Sequence, residues 1–155
     1  MEQSKTDLAL DKVSFQLGMI NCFAEMVACG VKQMALSPPL TPAEFEKIKG
    51  ASEAIVAGFG IKSYLEKTLL VTDLQTGDFT RDKWSILYYE NEQALESYLA
   101  LKAKKQQLES AGRYDENARR EISRSFLRLL SYPEEKIEQI LSRRKPRDPF
   151  ILIKD

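Results

Sequence analysis

Four groups of side chains in this sequence have types and spacings that bear on chemistry. The first centres on Glu25, the only acidic residue among residues 13–31 (VSFQLGMINCFAEMVACGV). On a helical wheel Glu25 shares a narrow stripe with Ser14, Gly18, Asn21 and Lys32, and Asn21 lies one turn before it. A carboxylate buried there must be paired, hydrogen-bonded or protonated. A polar pocket built on Asn21, Glu25 and Lys32 would take a cationic or hydroxylated ligand. The plainer expectation makes the stripe the solvent edge of the helix or a polar contact between copies.

The second group is a row of sulfurs, Met19, Cys22, Met26 and Cys29, at spacings that share one helix face. Soft sulfur ligands favour Cu(I), but methionine and cysteine are also common core fillers. Core filling is the expectation, with no metal. The third is the aromatic and polar cluster Asp78, Phe79, Trp84, Tyr88, Tyr89 and Asn91. Trp84, Tyr88 and Asn91 could wall a ligand pocket; packing between helices is the simpler expectation. The fourth is basic. Arg120, Arg124 and Arg128 recur every four residues, and Arg143, Arg144, Lys145 and Arg147 follow. Such a ridge could meet phosphates or a protein partner. Glu121, Glu134, Glu135 and Glu138 stand ready to neutralise it, so nucleic acid is not the expected partner.

What is absent narrows the chemistry further. The 155 residues include no histidine. That removes the usual general base and the commonest metal ligand, and with them Ser–His–Asp triads, Cys–His pairs and zincin motifs. The phosphate loops GxGxxG and GxxxxGK[ST] do not occur. Cys22 and Cys29 lie about 10 Å apart on one helix, too far for a mutual disulfide. As buried free thiols they fit a reducing cytoplasm. The first twelve residues lack a signal-peptide pattern. Residues 13–31 contain Gln16, Asn21 and Glu25, so they read as a core helix rather than a membrane span.

The elements that must position these groups read as helices. Helix 1 is expected over 7–36, buried almost all round because it is so apolar, and stopped by Pro38 and Pro39. Thr41, Pro42 and Glu44 form a capping-box signature for a second helix, with Phe45, Ile48, Ser52, Ile55 and Phe59 on its inner face. Its Ala51, Ala54, Ala57 and Gly58, like Gly18, Ala24, Ala28 and Gly30 of helix 1, suit close backbone approach between the two. A break is expected at 58–60, further helix to residue 70, and a loop over 71–80. Thr80 is placed to cap a third helix that Gly112 ends. A fourth helix follows from Asp115 to Leu130, with Ala118, Ile122, Phe126 and Leu129 inward. A fifth starts at Pro133.

These readings predict an all-α protein, a compact bundle of five or six helices around the long apolar first one. They place one domain over 1–155 with a short apolar arm at 146–155. Formal net charge is zero, although residues 113–155 carry 11 basic and 8 acidic side chains. The expected role is a non-enzymatic cytoplasmic interaction protein that forms a homodimer, with no cofactor and no membrane association. The alternative is a ligand-binding bundle around Glu25. A weaker one is nucleic-acid binding through the arginine-rich helices.

Overall fold

The computed structural model describes residues 9–75 and 77–143. The protein is mixed α/β, which corrects the all-α bundle expected from the sequence. Its elements are α1 (Lys12–Ala28), β1 (Met34–Leu36), α2 (Pro42–Phe59), β2 (Lys62–Glu66), α3 (Gly77–Thr80), β3 (Ser85–Tyr89), α4 (Glu92–Ser110), α5 (Glu116–Leu129) and α6 (Glu134–Leu141).

The N-terminal helix is shorter than expected because Gly30 ends it. Gly30 takes a left-handed backbone, φ 75°. Its amide bonds the Val27 carbonyl and the Val31 amide bonds the Met26 carbonyl, at 3.0 and 2.9 Å. This pair of bonds closes a helix end when the residue after the cap is left-handed, a conformation open to glycine. The chain then turns and re-enters as β1. Expected features of α2 are present: Thr41 and Glu44 make the full capping box with Pro42 in the first turn. The break at 58–60 is also present, since α2 stops at Phe59. The helix expected beyond it is instead β2, and the helix expected from Thr80 is interrupted by β3. Thr80 closes the short α3, and α4 starts from Asn91, whose side chain accepts from the Gln93 amide at 3.0 Å.

The strands form an antiparallel sheet in the order β1–β3–β2. Tyr89 of β3 lies opposite Met34 and Lys62, and Leu87 opposite Leu36 and Tyr64. Since β1 and β2 both oppose β3, they run parallel to each other, joined through α2. All five residues of β3 are buried, because helices cover both faces of this central strand. Ile86 and Tyr88 meet Ile20, Ala24 and Val27 of α1 and Ile48 of α2. Leu87 and Tyr89 meet Tyr98 of α4 and Phe126 of α5. The result is a three-layer sandwich, α1–α2 over sheet over α4–α5. The last helix packs outside α5 through Leu127, Ile137, Ile140 and Leu141.

Ser52 sits on the apolar face of α2 because its hydroxyl pairs with the buried Tyr88 hydroxyl at 2.8 Å. Ser37 continues the β1–β3 ladder. Its amide donates to the Ile86 carbonyl and its hydroxyl accepts from the Ile86 amide, both at 2.8 Å.

Candidate functional site

The outer surface of the α1–α2 layer is the first candidate. Ile20, Ala24 and Val27 hold α1 to the sheet, and the opposite stripe of Ser14, Gly18, Cys22, Glu25 and Cys29 is exposed, as is Asn21. The expectation that this helix is buried nearly all round is therefore corrected. Cys22 and Cys29 are free and exposed rather than core thiols. Met19 and Met26 are half-buried beside them. On α2, Gly50, Ala51, Ala54, Ala57 and Gly58 are likewise exposed. Gly18 of α1 and these residues of α2 point to solvent instead of toward the facing helix, whereas Ala24 is buried against the sheet and Ala28 half-buried.

The two helices lie with their N-termini together. The Lys12 ammonium is 2.9 Å from the Glu44 carboxylate, which also accepts weakly from the Gln16 amide at 3.4 Å. Burial pushes the Glu44 carboxyl up, but Lys12, the Thr41 amide and Gln16 together hold it below its ordinary value. The exposed cations Lys47 and Lys49 of α2 share this end of the layer, Lys49 paired with Glu46 at 2.5 Å. Toward the other end, the exposed charges of the two helices are Glu25 and Glu53.

The residues expected to form one ligand pocket are dispersed. Asn21 and Glu25 face solvent. Tyr88 is buried in the central strand, and burial, outweighing its bond to Ser52, raises its hydroxyl pKa far above normal. Trp84 packs edge-on against Phe45, ring centres 5.5 Å apart, with the Lys67 ammonium 4.7 Å over its ring. Lys32 and Asn91 alone come together, in a cleft of about 470 Å3 between the end of α1 and the start of α4. Lys32 is half-buried there. Its ammonium donates to the Leu130 carbonyl at 2.7 Å, closing the end of α5, and burial lowers its pKa.

The cleft adjoins a second of about 220 Å3 between α4 and α5, and Gln33 and Ser97 line both. One groove thus runs along the first half of α4. Its floor is Val27, Ala94, Leu101 and Leu129, and its rim carries Gln33, Glu90, Gln93, Ser125 and Arg128. Nothing in the sequence marks these residues as neighbours; the groove exists because β1 brings residues 32–33 against α4 and α5.

The arginines of the C-terminal half do not form an open ridge. Arg124 pairs with Glu121 and, at 3.0 Å, with Glu138. Arg128 pairs with Glu134 at 2.6 Å. Arg120 is half-buried and Arg143 exposed. Arg144, Lys145 and Arg147 lie outside the described residues, as does the arm expected at 146–155.

The sequence reading missed a buried polar cluster at the end of β2. Glu66 is 4% exposed. Its carboxylate accepts from the Tyr98 hydroxyl at 2.7 Å, the Lys102 ammonium at 2.8 Å and the Thr68 amide at 2.9 Å. Tyr98 also accepts from the Leu70 amide at 3.1 Å. Burial pushes the Glu66 carboxyl up, yet these donors win and hold it below its ordinary value. Every partner is internal, so the cluster clips the loop after β2 onto α4. Tyr98 and Lys102 are one turn apart on α4, the single hint the sequence held.

Among the described residues no group of three His, Cys, Asp or Glu is arranged to hold a metal ion. Among them, too, no helix is long and apolar enough to cross a membrane. No protein-family model matches the chain, and no curated protein or solved structure matches it either.

Proposed function

We propose that this protein is a non-enzymatic interaction module that pairs with a second copy of itself through the outer face of the α1–α2 layer. The observation that carries this reading is the exposed stripe of α1, which presents Gly18, Cys22 and Cys29 to solvent with Glu25 as its only charge.

Two further features support it. Gly18, Gly50 and Gly58 sit inside helices, where glycine costs roughly 0.5–1 kcal/mol relative to alanine. A Cβ built at any of the three would meet nothing within 4 Å. The packing of the described residues gives no reason for these glycines, whereas a closely approaching second backbone does. The charges also suit a twofold contact. Swapping the ends of the layer brings Lys47 of one copy toward Glu25 and Glu53 of the other. The exposed free thiols of Cys22 and Cys29 fit a reducing compartment, the cytoplasm.

Light scattering behind a sizing column tests the reading. The expected mass at tens of micromolar is twice the 17.7 kDa of the chain. Gly18→Lys places a charge on the open face without touching the protomer core, so it should return the monomer mass with the melting curve kept. A wild-type chain that is strictly monomeric refutes the proposal.

A further inference from the structure

Cys22 and Cys29 both open onto the outer face of α1 as free thiols, but they hold different places on it. The exposed stripe runs through Ser14, Gly18, Cys22, Glu25 and Cys29, and Cys22 is its middle member. The charges locate the same level independently. A twofold that sets Lys47 against the partner's Glu53 passes midway between these positions, at Gly50. Glu44 touches Lys12 and Gln16 of α1, and Gly50 lies six residues beyond Glu44. Six residues beyond Lys12 and Gln16 stand Gly18 and Cys22, so the axis crosses α1 between these two.

A twofold at this level sets α1 antiparallel to the partner's α1 and brings a residue beside the axis against its own counterpart. Helices packed with axes about 8–10 Å apart, and Cα atoms at a radius of ~2.3 Å, bring facing Cα atoms to about 3–5 Å. A disulfide spans about 4.4–6.8 Å between Cα atoms, so the two ranges overlap. Gly18, one turn away, has no side chain to hold the backbones further apart. Cys29 lies seven residues beyond Cys22, about 10 Å along α1 at ~1.5 Å per residue. It stands about 10 Å from the partner's Cys22 and about 20 Å from the partner's Cys29, out of disulfide reach of both.

Given the pairing proposed above, we infer that Cys22 is an oxidation site at which hydrogen peroxide locks two copies together through a disulfide across the twofold. The Cys22 thiolate attacks the peroxide while its face is open. A sulfur–oxygen bond forms, the oxygen–oxygen bond breaks, and a sulfenic acid and water result. Pairing then brings the partner's Cys22 to that sulfur. The sulfur–sulfur bond forms as the sulfur–oxygen bond breaks, and a second water leaves. Two thiols give up two electrons and two protons, and the peroxide takes up both. Thiol exchange with a reductant reverses the link.

Reduced protein at tens of micromolar, treated with hydrogen peroxide and run on a non-reducing gel, tests this. Wild type and Cys29→Ser should give a band at twice 17.7 kDa that dithiothreitol returns to the single-chain position. Cys22→Ser should give none. Gly18→Lys, which disrupts pairing, should cross-link at least about tenfold more slowly, because the reaction within a dimer is intramolecular. No cross-link in wild type, a cross-link that survives Cys22→Ser or needs Cys29, or equal rates in Gly18→Lys overturns the inference. Light scattering of the same chains in dithiothreitol separates this outcome from the pairing itself. A dimer that fails to cross-link refutes the Cys22 site alone, whereas a monomer refutes the pairing and the site together.

Discussion

Replacing Lys102 with methionine isolates the electrostatics of the buried Glu66 cluster. Methionine keeps the apolar stem of the side chain and removes the cation 2.8 Å from the Glu66 carboxylate. Tyr98 and the Thr68 amide stay in place, but they cannot neutralise a charge that is 4% exposed. Breaking one side of a buried ion pair costs about 3–5 kcal/mol. The Lys102 side chain is 33% exposed, so water already screens part of the pair and the cost falls to about 3 kcal/mol or somewhat less. For a chain of this size that lowers the melting temperature by about 6–12 °C.

Adding Glu66→Gln to Lys102→Met should recover most of the loss, because a neutral amide can still accept from Tyr98 and Thr68. The pH dependence follows from the depressed Glu66 pKa. In the wild type the stabilisation is complete above the unfolded glutamate value, near 4.3, and is lost as pH falls through the lower folded value. In Lys102→Met burial is less opposed and the folded pKa rises, so the acid-side loss shrinks and the deficit against the wild type narrows as pH falls and Glu66 takes up a proton. Urea denaturation from about pH 3 to pH 8, in both variants and the wild type, measures each of these. A Lys102→Met midpoint equal to wild type across that range would show that Glu66 is not a desolvated charge, and the reasoning would be refuted.

Two other substitutions follow from single atoms. Gln16 is 3% exposed and its amide oxygen has no hydrogen-bond partner among the described residues. Gln16→Leu removes that orphaned acceptor and should raise stability by about 1 kcal/mol in thermal melts; a loss would mean the 3.4 Å contact with Glu44 matters more than the orphan. Ser131 holds a left-handed backbone, φ 66°, and its hydroxyl accepts from the Gln33 amide at 2.9 Å. Ser131→Ala keeps the strain and loses the acceptor, costing about 1 kcal/mol, whereas Ser131→Gly relieves the strain and should be close to neutral. Equal destabilisation by both, measured by urea midpoints, would remove the strain argument.

The parts of the fold that were legible in advance are those decided within one or two helical turns. Thr41, Pro42 and Glu44 announce the start of α2 because Thr41 and Glu44 each accept from an amide in the same turn and Pro42 has no amide hydrogen to leave unpaired. Asp115 and Gly112 bound the helices around them for the same local reason. The period of Ile122, Phe126 and Leu129 shows the inner face of α5. The strands were not legible. Trp84, Leu87, Tyr88 and Asn91 recur at helical spacing, although Ile86 to Tyr89 is a continuous apolar run. A short apolar run buried on both faces has no period of its own to separate strand from helix. Gly30 was read as a small residue for packing rather than as the left-handed end of α1, and that choice hid β1.

What the sequence by itself determined is chemical capacity and local capping: no histidine, opposed charges along α5 and α6, and a first helix nearly free of charge. Whether that helix is enclosed, which residues meet across the sheet, and where Glu66 finds its cation were decided only by the tertiary structure. Lys32 and Leu130 are 98 positions apart, and Glu66 and Lys102 are 36 apart. Contacts at such separations depend on how the layers stack. Stacking follows the pairing of β1 and β2 with β3, and no local pattern in this chain encodes that pairing.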